Sequence, residues 1–223
     1  ILAPAVIAAA LAALVRLPRR TAAAFVLVAM LSNAGNFGLS AVKLAFGDAA
    51  LAYAGVYFAV SVALTYTLGV IVASAGTSGL RQALAGVVRV PTVYAVALAL
   101  LARHWHWQVP VPVDRAVSLL ADAAIPAMLV ILGMQLRRSG IGWSRLLLPS
   151  LGLRMIVAPL AALALAPLFG LSTPAVQGGV LEAAMPAAVV TTVLAEFYGL
   201  DTEYVTRVVV AGTLLSPLTL TPL

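Results

Sequence analysis

Four ionisable side chains stand inside long apolar stretches of this chain: Lys43, Asp122, Arg154 and Glu182. An ionisable group in hydrocarbon costs roughly 2.5–3.5 kcal/mol on insertion scales, so each needs a chemical reason to be there. Lys43 and Arg154 have long stems that can carry their charge toward an interface or to a partner. Asp122 and Glu182 are short and lack that reach, which makes them candidates for binding a coupling ion. Glu182 is the stronger, because Met185-Pro186 follows and a proline breaks the hydrogen-bond ladder of the turn before it. A second cluster, Ser32-Asn33-Ala34-Gly35-Asn36-Phe37-Gly38-Leu39-Ser40, sets two Asn and two Gly within an apolar run. Both types are poor helix formers, and an Asn amide in lipid must find partners. The chemistry on offer is recognition of a small anion. A helix that restarts after a break presents free N–H groups and a partial positive charge, and Asn adds donors and acceptors without a buried cation. The candidate binding residues are therefore Asn33, Gly35, Asn36, Gly38, Glu182, Met185 and Pro186. A carboxyl group beside a bound anion would repel it when ionised, so Glu182 is expected to take up a proton together with the substrate.

The elements that position these residues follow from composition. Of 223 residues, 63% are hydrophobic and 9% charged, with a mean hydropathy of +1.11. A soluble domain carries about 25% charge, so a soluble globular protein and a disordered chain are both excluded. There is no Cys, hence no disulfide frame and no Cys-ligated metal site. A span needs about 20 apolar residues. Runs approaching that length are Leu2–Val15, Thr21–Phe46, Ala49–Ser74, Leu84–Ala102, Ala116–Leu136, Leu146–Phe169, Pro174–Phe197 and Tyr204–Leu223. The prediction is an all-α polytopic membrane protein forming one transporter domain over residues 1–223. A β-barrel is disfavoured because the runs are continuous rather than alternating. The first run is short and opens on Ile, so the chain is read as beginning inside a helix.

Net charge is +6, yet basic residues never run longer than two, so they read as markers of sidedness rather than of nucleic-acid binding. One set of alternate loops holds Arg16, Arg19, Arg20, Arg81, Arg89, Arg137, Arg138, Arg145 and Arg207. The other holds only Arg103 and Arg115 among its arginines. The first set is expected on the cytoplasmic side. His104-Trp105-His106-Trp107 puts aromatic rings at the opposite interface, and both ends of the chain fall outside. Two interrupted helices in separate halves of a chain are the sequence pointer to a transporter binding site. Helix packing through small residues with a simple Pro kink is the plainer reading.

At these residues the chain resembles the auxin efflux carrier family. The stretch Ser32–Ser40 is similar to the family's S/G-N-x-G-N-x-G-L-P element, and Ala45-Phe46-Gly47 and Thr67-Leu68-Gly69-Val70 continue the match. Ala124-Ile125-Pro126 with Leu132-Gly133 resembles a further element. Ala183-Ala184-Met185-Pro186-Ala187-Ala188-Val189 with Ala195-Glu196-Phe197-Tyr198-Gly199 resembles the last. The resemblance implies inverted five-helix repeats with two broken crossover helices. The first repeat would be incomplete here, its end being residues 1–74, and the second would occupy 84–223. Ser40 departs from the family pattern, which has the crossover Pro there, so that break must rest on Gly35, Gly38 and the two Asn residues.

The implied activity is secondary transport of small, auxin-like carboxylates across a plasma (inner) membrane, with no enzyme chemistry, cofactor or metal. Expected partners are the organic anion, membrane lipid, a proton as coupling ion and a second copy of the chain; nucleic acid is not expected. Sodium-coupled transport of the bile-acid-symporter type is the nearest alternative, and a membrane sensor or channel a further one. Gly76-Thr77-Ser78-Gly79 imitates the G-x-S-G of rhomboid proteases, but both histidines, His104 and His106, belong to a loop on the other side of the membrane. A nucleophilic Ser needs its base within hydrogen-bond reach.

Overall fold

The computed structural model describes residues 1–76, 94, 98–99, 101–102, 104–138 and 142–221. Most of the expected span Leu84–Ala102, and Thr77-Ser78-Gly79, lie outside the described residues. Among those described the regular structure is helical: α1 (Leu2–Leu14), α2 (Arg19–Met30), α3 (Ser40–Leu64), α4 (Val70–Ala75), α5 (Val111–Arg138), α6 (Leu147–Gly152), α7 (Ala158–Leu165), α8 (Thr173–Ala184), α9 (Val190–Phe197) and α10 (Thr202–Leu220).

Several of these join end to end through wide π turns. Ala34–Leu39 leads into α3, Thr65–Gly69 joins α3 to α4, and Leu153–Val157 joins α6 to α7. Two of the resulting runs, Ala34–Ala75 (42 residues) and Leu147–Phe169 (23 residues), are long and apolar enough to cross a membrane. The first is bent once, at Gly47, whose φ of 75° is accessible to glycine and separates the expected spans at the expected place. Lys43 and Asp48 form an ion pair across this bend, at its exposed side. Proline alone does not interrupt a helix here: Pro126 lies inside α5 and Pro217 inside α10.

Two elements end early, and both ends have local causes. α2 stops at Met30, after which Leu31 is extended with ψ at 112°. α8 stops at Ala184, and Met185 is extended with ψ at 144°, because the ring of the following proline clashes with a helical predecessor. The chain turns helical again at Ala34 and at Val190. The first interruption therefore falls at Leu31-Ser32-Asn33, ahead of most of the Asn/Gly cluster expected to carry it. Gly35, Asn36 and Gly38 instead sit in the π turn that restarts the helix, and Ser40 is already helical. The Asn33 carbonyl starts that wide turn by accepting from both Phe37 N (3.3 Å) and Gly38 N (2.9 Å).

The core is built around α2, whose residues from Ala23 through Met30 are all buried. α1, α4, α6, α9 and α10 pack on it. A second cluster, Val42, Ala50, Ala54, Leu181 and Met185, holds α8 against α3. These two helices pack closely because Gly178 gives no side chain. A Cβ there would lie 2.6 Å from the Ala50 carbonyl oxygen.

Candidate functional site

Backbone polar groups must be paired when water is absent, and extended residues inside an apolar core have lost their helical partners. Here the two interruptions pair with each other. Asn33 N donates to the Pro186 carbonyl (2.8 Å), and Ala188 N donates to the Leu31 carbonyl (2.9 Å). Ser32 and Ala187 thereby form an antiparallel bridge. α2 enters from the Arg16–Arg20 turn and α8 from the uncharged Gly170–Ser172 turn.

Four helix ends converge on the bridge, two of each polarity. The resumed N-terminal ends border a cavity of about 230 Å³ lined by Ser32, Asn33, Gly35, Asn36, Ala188 and Val190, with Phe58, Ser61, Thr65 and Tyr66 across from them. At α9 the Thr191 and Thr192 N–H groups bond to the Ala188 and Val189 carbonyls, so the partial positive charge at this cavity comes from the two helix dipoles and the remaining first-turn N–H groups. Asn33 is buried with its Nδ2 unpartnered, and the Ser32 and Ser61 hydroxyls are unpartnered as well. Asn36 is half-buried. Gly35 lies so close to Phe58 that an added Cβ would stand 2.7 Å from its ring.

The two C-terminal ends are served by Arg154, which the π turn between α6 and α7 carries into the core at 0% exposure. Its Nη1 donates to the carbonyls of Ala29 (3.1 Å) and Met30 (3.2 Å), in the last turn of α2. Its Nη2 donates to the carbonyl of Ala183, in the last turn of α8. A single guanidinium thus satisfies orphan carbonyls of both interrupted helices and places its charge where the dipoles are negative. Snorkelling toward an interface is not what Arg154 does.

Glu182, the neighbour of Ala183, is also fully buried, and both its carboxylate oxygens lack a hydrogen-bond partner. It packs on the backbone of Gly38, where a side chain would collide with the carboxylate. Ser40, two residues on, has an unpartnered buried hydroxyl too. The Tyr57 hydroxyl is buried among Arg154, Ser32 and Glu182. Pro186 takes part through its carbonyl, and Met185 through packing at 0% exposure.

The structure brings Asn33, Gly38, Glu182, Met185 and Pro186 together at the bridge, with Gly35 and Asn36 on its cavity side. Glu182 stands against Gly38 and does not line the cavity. Asp122 is not in this group; it is exposed on α5. Sequence reasoning missed the contribution of α3. Tyr57, Ser61 and Thr65 recur every fourth residue through an apolar run, a polar stripe on one helix face that the spacing alone could have revealed. It also left Arg154 without its partners, since backbone carbonyls leave no mark on a sequence.

The chain is 27% identical over 137 residues to "Probable auxin efflux carrier component 5b" of Oryza sativa subsp. japonica, covering 58% of this chain and 37% of that protein. It is 28% identical over 141 residues to "Auxin efflux carrier component 3a" of the same organism, covering 60% of this chain and 23% of that one. The matched region thus spans well under half the length of these relatives. The family described as membrane transport protein matches residues 1–223, the whole chain. The chain belongs to this membrane transport family, that of the auxin efflux carriers, which is integral to membranes and is not an enzyme family.

Proposed function

We propose that this protein is a multi-pass secondary transporter of small organic anions in a plasma (inner) membrane. The carried anion is a carboxylate of the auxin-like kind. The observation that carries this reading is the hydrogen-bonded pairing of two helix interruptions beside a cavity bordered by the N-terminal ends of both resumed helices. Discontinuous helices whose N-termini converge at mid-membrane are the arrangement that binds anionic substrates in such carriers. On this reading α2 with Ala34–Leu39, and α8 with α9, are the crossover helices of two inverted repeats. Access alternates as one repeat and its packed helices rock about the bridge.

Asn33 and Asn36 orient the carboxylate by hydrogen bonds, and the Ser32 and Ser61 hydroxyls add further partners. Gly35 and Gly38 let the backbone of the π turn come close to the neighbouring elements. Glu182 binds a proton when the anion enters, so that two negative charges never share the crossing unneutralised, and releases it when the anion leaves. The proton is then the coupling ion, taken from and returned to bulk water.

The test is uptake of labelled lactate, succinate and an arylacetate into liposomes holding the full-length protein. Saturable uptake of at least one carboxylate, accelerated by an inward proton gradient and of weaker apparent affinity in Asn36→Ala, is the expected result. Absence of carboxylate flux under every gradient overturns the reading.

A further inference from the structure

We infer that the Arg154 guanidinium is a resident cation, built into the place where a coupling alkali cation would otherwise be held, so that transport through this site needs neither sodium nor potassium. The inference rests on the anion-transport reading above and extends it to the identity of the coupling charge.

Three carbonyl oxygens, those of Ala29, Met30 and Ala183, converge on the guanidinium, and they come from the C-terminal turns of the two interrupted helices. Unwound carbonyls and half-helix C-termini are what hold Na⁺ in carriers built on interrupted helices. Neutral carbonyl oxygen is the donor type that hard cations prefer. In this chain the same kind of donor set is already filled by a side chain of the protein itself. Arg cannot lose its proton, so the positive charge is permanent.

The charge count fits that role. Each helix C-terminus carries roughly half a negative charge, so two of them are cancelled by about one guanidinium. The two positive N-terminal ends then border the cavity with no carboxylate among its lining residues, which leaves the site suited to an anion. Among the described residues Arg154 and Glu182 are the buried charged side chains at the crossing, with the Tyr57 hydroxyl beside them, yet the carboxylate is not hydrogen-bonded to the guanidinium. Arg154 bonds instead to the carbonyl of the adjacent residue, which leaves Glu182 free to exchange its proton without breaking the clamp. Arg154 is a positioning residue: it touches the helix ends rather than the substrate, since it does not line the cavity.

The experiment uses the full-length protein in liposomes and in detergent. Wild-type flux of labelled lactate, succinate or arylacetate is expected to be the same in sodium, potassium and choline salts. Flux that collapses in choline and returns with sodium overturns the inference and leaves the anion-transport reading standing. In Arg154→Ala the three carbonyls lose their donor, and flux in choline is expected to fall about tenfold or more. Millimolar guanidinium should restore it, and should raise the Tm of Arg154→Ala but not of the wild type, because a ligand bound only by the folded state stabilises it. A purified Arg154→Ala whose flux and Tm both ignore guanidinium overturns the inference; if that variant cannot be purified, the cation series on the wild type decides alone. If no carboxylate moves in the wild type while guanidinium still stabilises Arg154→Ala, the transport reading fails and the resident-cation site stands.

Discussion

At the scale of single residues, the crossing is defined by which polar atoms are paired and which are left waiting. Asn36 lines the cavity and is half-buried, so on the proposed function its amide is placed to meet the anion. Asn36→Ala removes about one hydrogen bond to a charged group, and carboxylate binding should weaken roughly tenfold while the Tm stays unchanged; equilibrium binding of the labelled anion checks this. Glu182 behaves differently. On the proposed mechanism its ionised form opposes the anion, so wild-type binding should fall as pH rises through the titration of this carboxyl. Glu182→Gln is permanently neutral and should bind at every pH with the wild-type's low-pH affinity. A Glu182→Gln protein that retains the wild-type pH profile would remove the coupling role. Gly38 answers for the spacing between them: Gly38→Ala drives a methyl group into the Glu182 carboxylate, and transport should drop even where the protein folds.

Elements add constraints that no single residue carries. α8 can lie on α3 only because position 178 is glycine, with the Ala50 carbonyl directly opposite. Gly178→Val should separate the two helices and cost about 1–3 kcal/mol, read as a lower Tm in detergent. Gly179→Val is the internal control, since nothing lies within 4 Å of a Cβ at that position. An equal loss in both variants would mean that the valine's helix propensity, and not the close approach, is responsible. The same reasoning explains why one proline interrupts and others do not. The Pro186 carbonyl accepts from Asn33 N and the Ala188 N–H donates to the Leu31 carbonyl across the bridge, whereas around Pro126 and Pro217 the helix simply continues. The break is a joint property of two segments, and the proline only selects where it falls.

For the whole molecule the arginine asymmetry makes a directional statement. The turn at Arg16 belongs to the arginine-rich set and the turn at Ser172 to the opposite one, and both positions are exposed. These 223 residues hold no Cys, so single cysteines at these sites add the first thiols to this part of the protein. A membrane-impermeant thiol reagent applied to intact cells should label Ser172→Cys and spare Arg16→Cys until the membrane is opened. The reverse pattern would invert the molecule, and with it the direction from which protons reach the crossing.

Most of the helical content was readable in advance, because long apolar runs in a low-charge chain admit few other structures. The bend at Gly47 lies between two runs already separated on hydropathy, and both interruptions fall in or beside the segments rich in Asn, Gly and Pro. Their pairing was not readable. The bonds from Asn33 to Pro186 and from Ala188 to Leu31 run between backbones more than 150 residues apart, and a backbone looks the same under any side chain. Arg154 shows the same limit. Its type and its place in an apolar run marked it as unusual, but its partners are carbonyls of Ala29, Met30 and Ala183, residues with no chemistry of their own. Composition and periodicity determine that this chain is helical and belongs in lipid, because they fix what each segment can bury. Which helix ends meet, and which charge is set between them, is decided only when distant segments must satisfy one another's backbone groups in the absence of water.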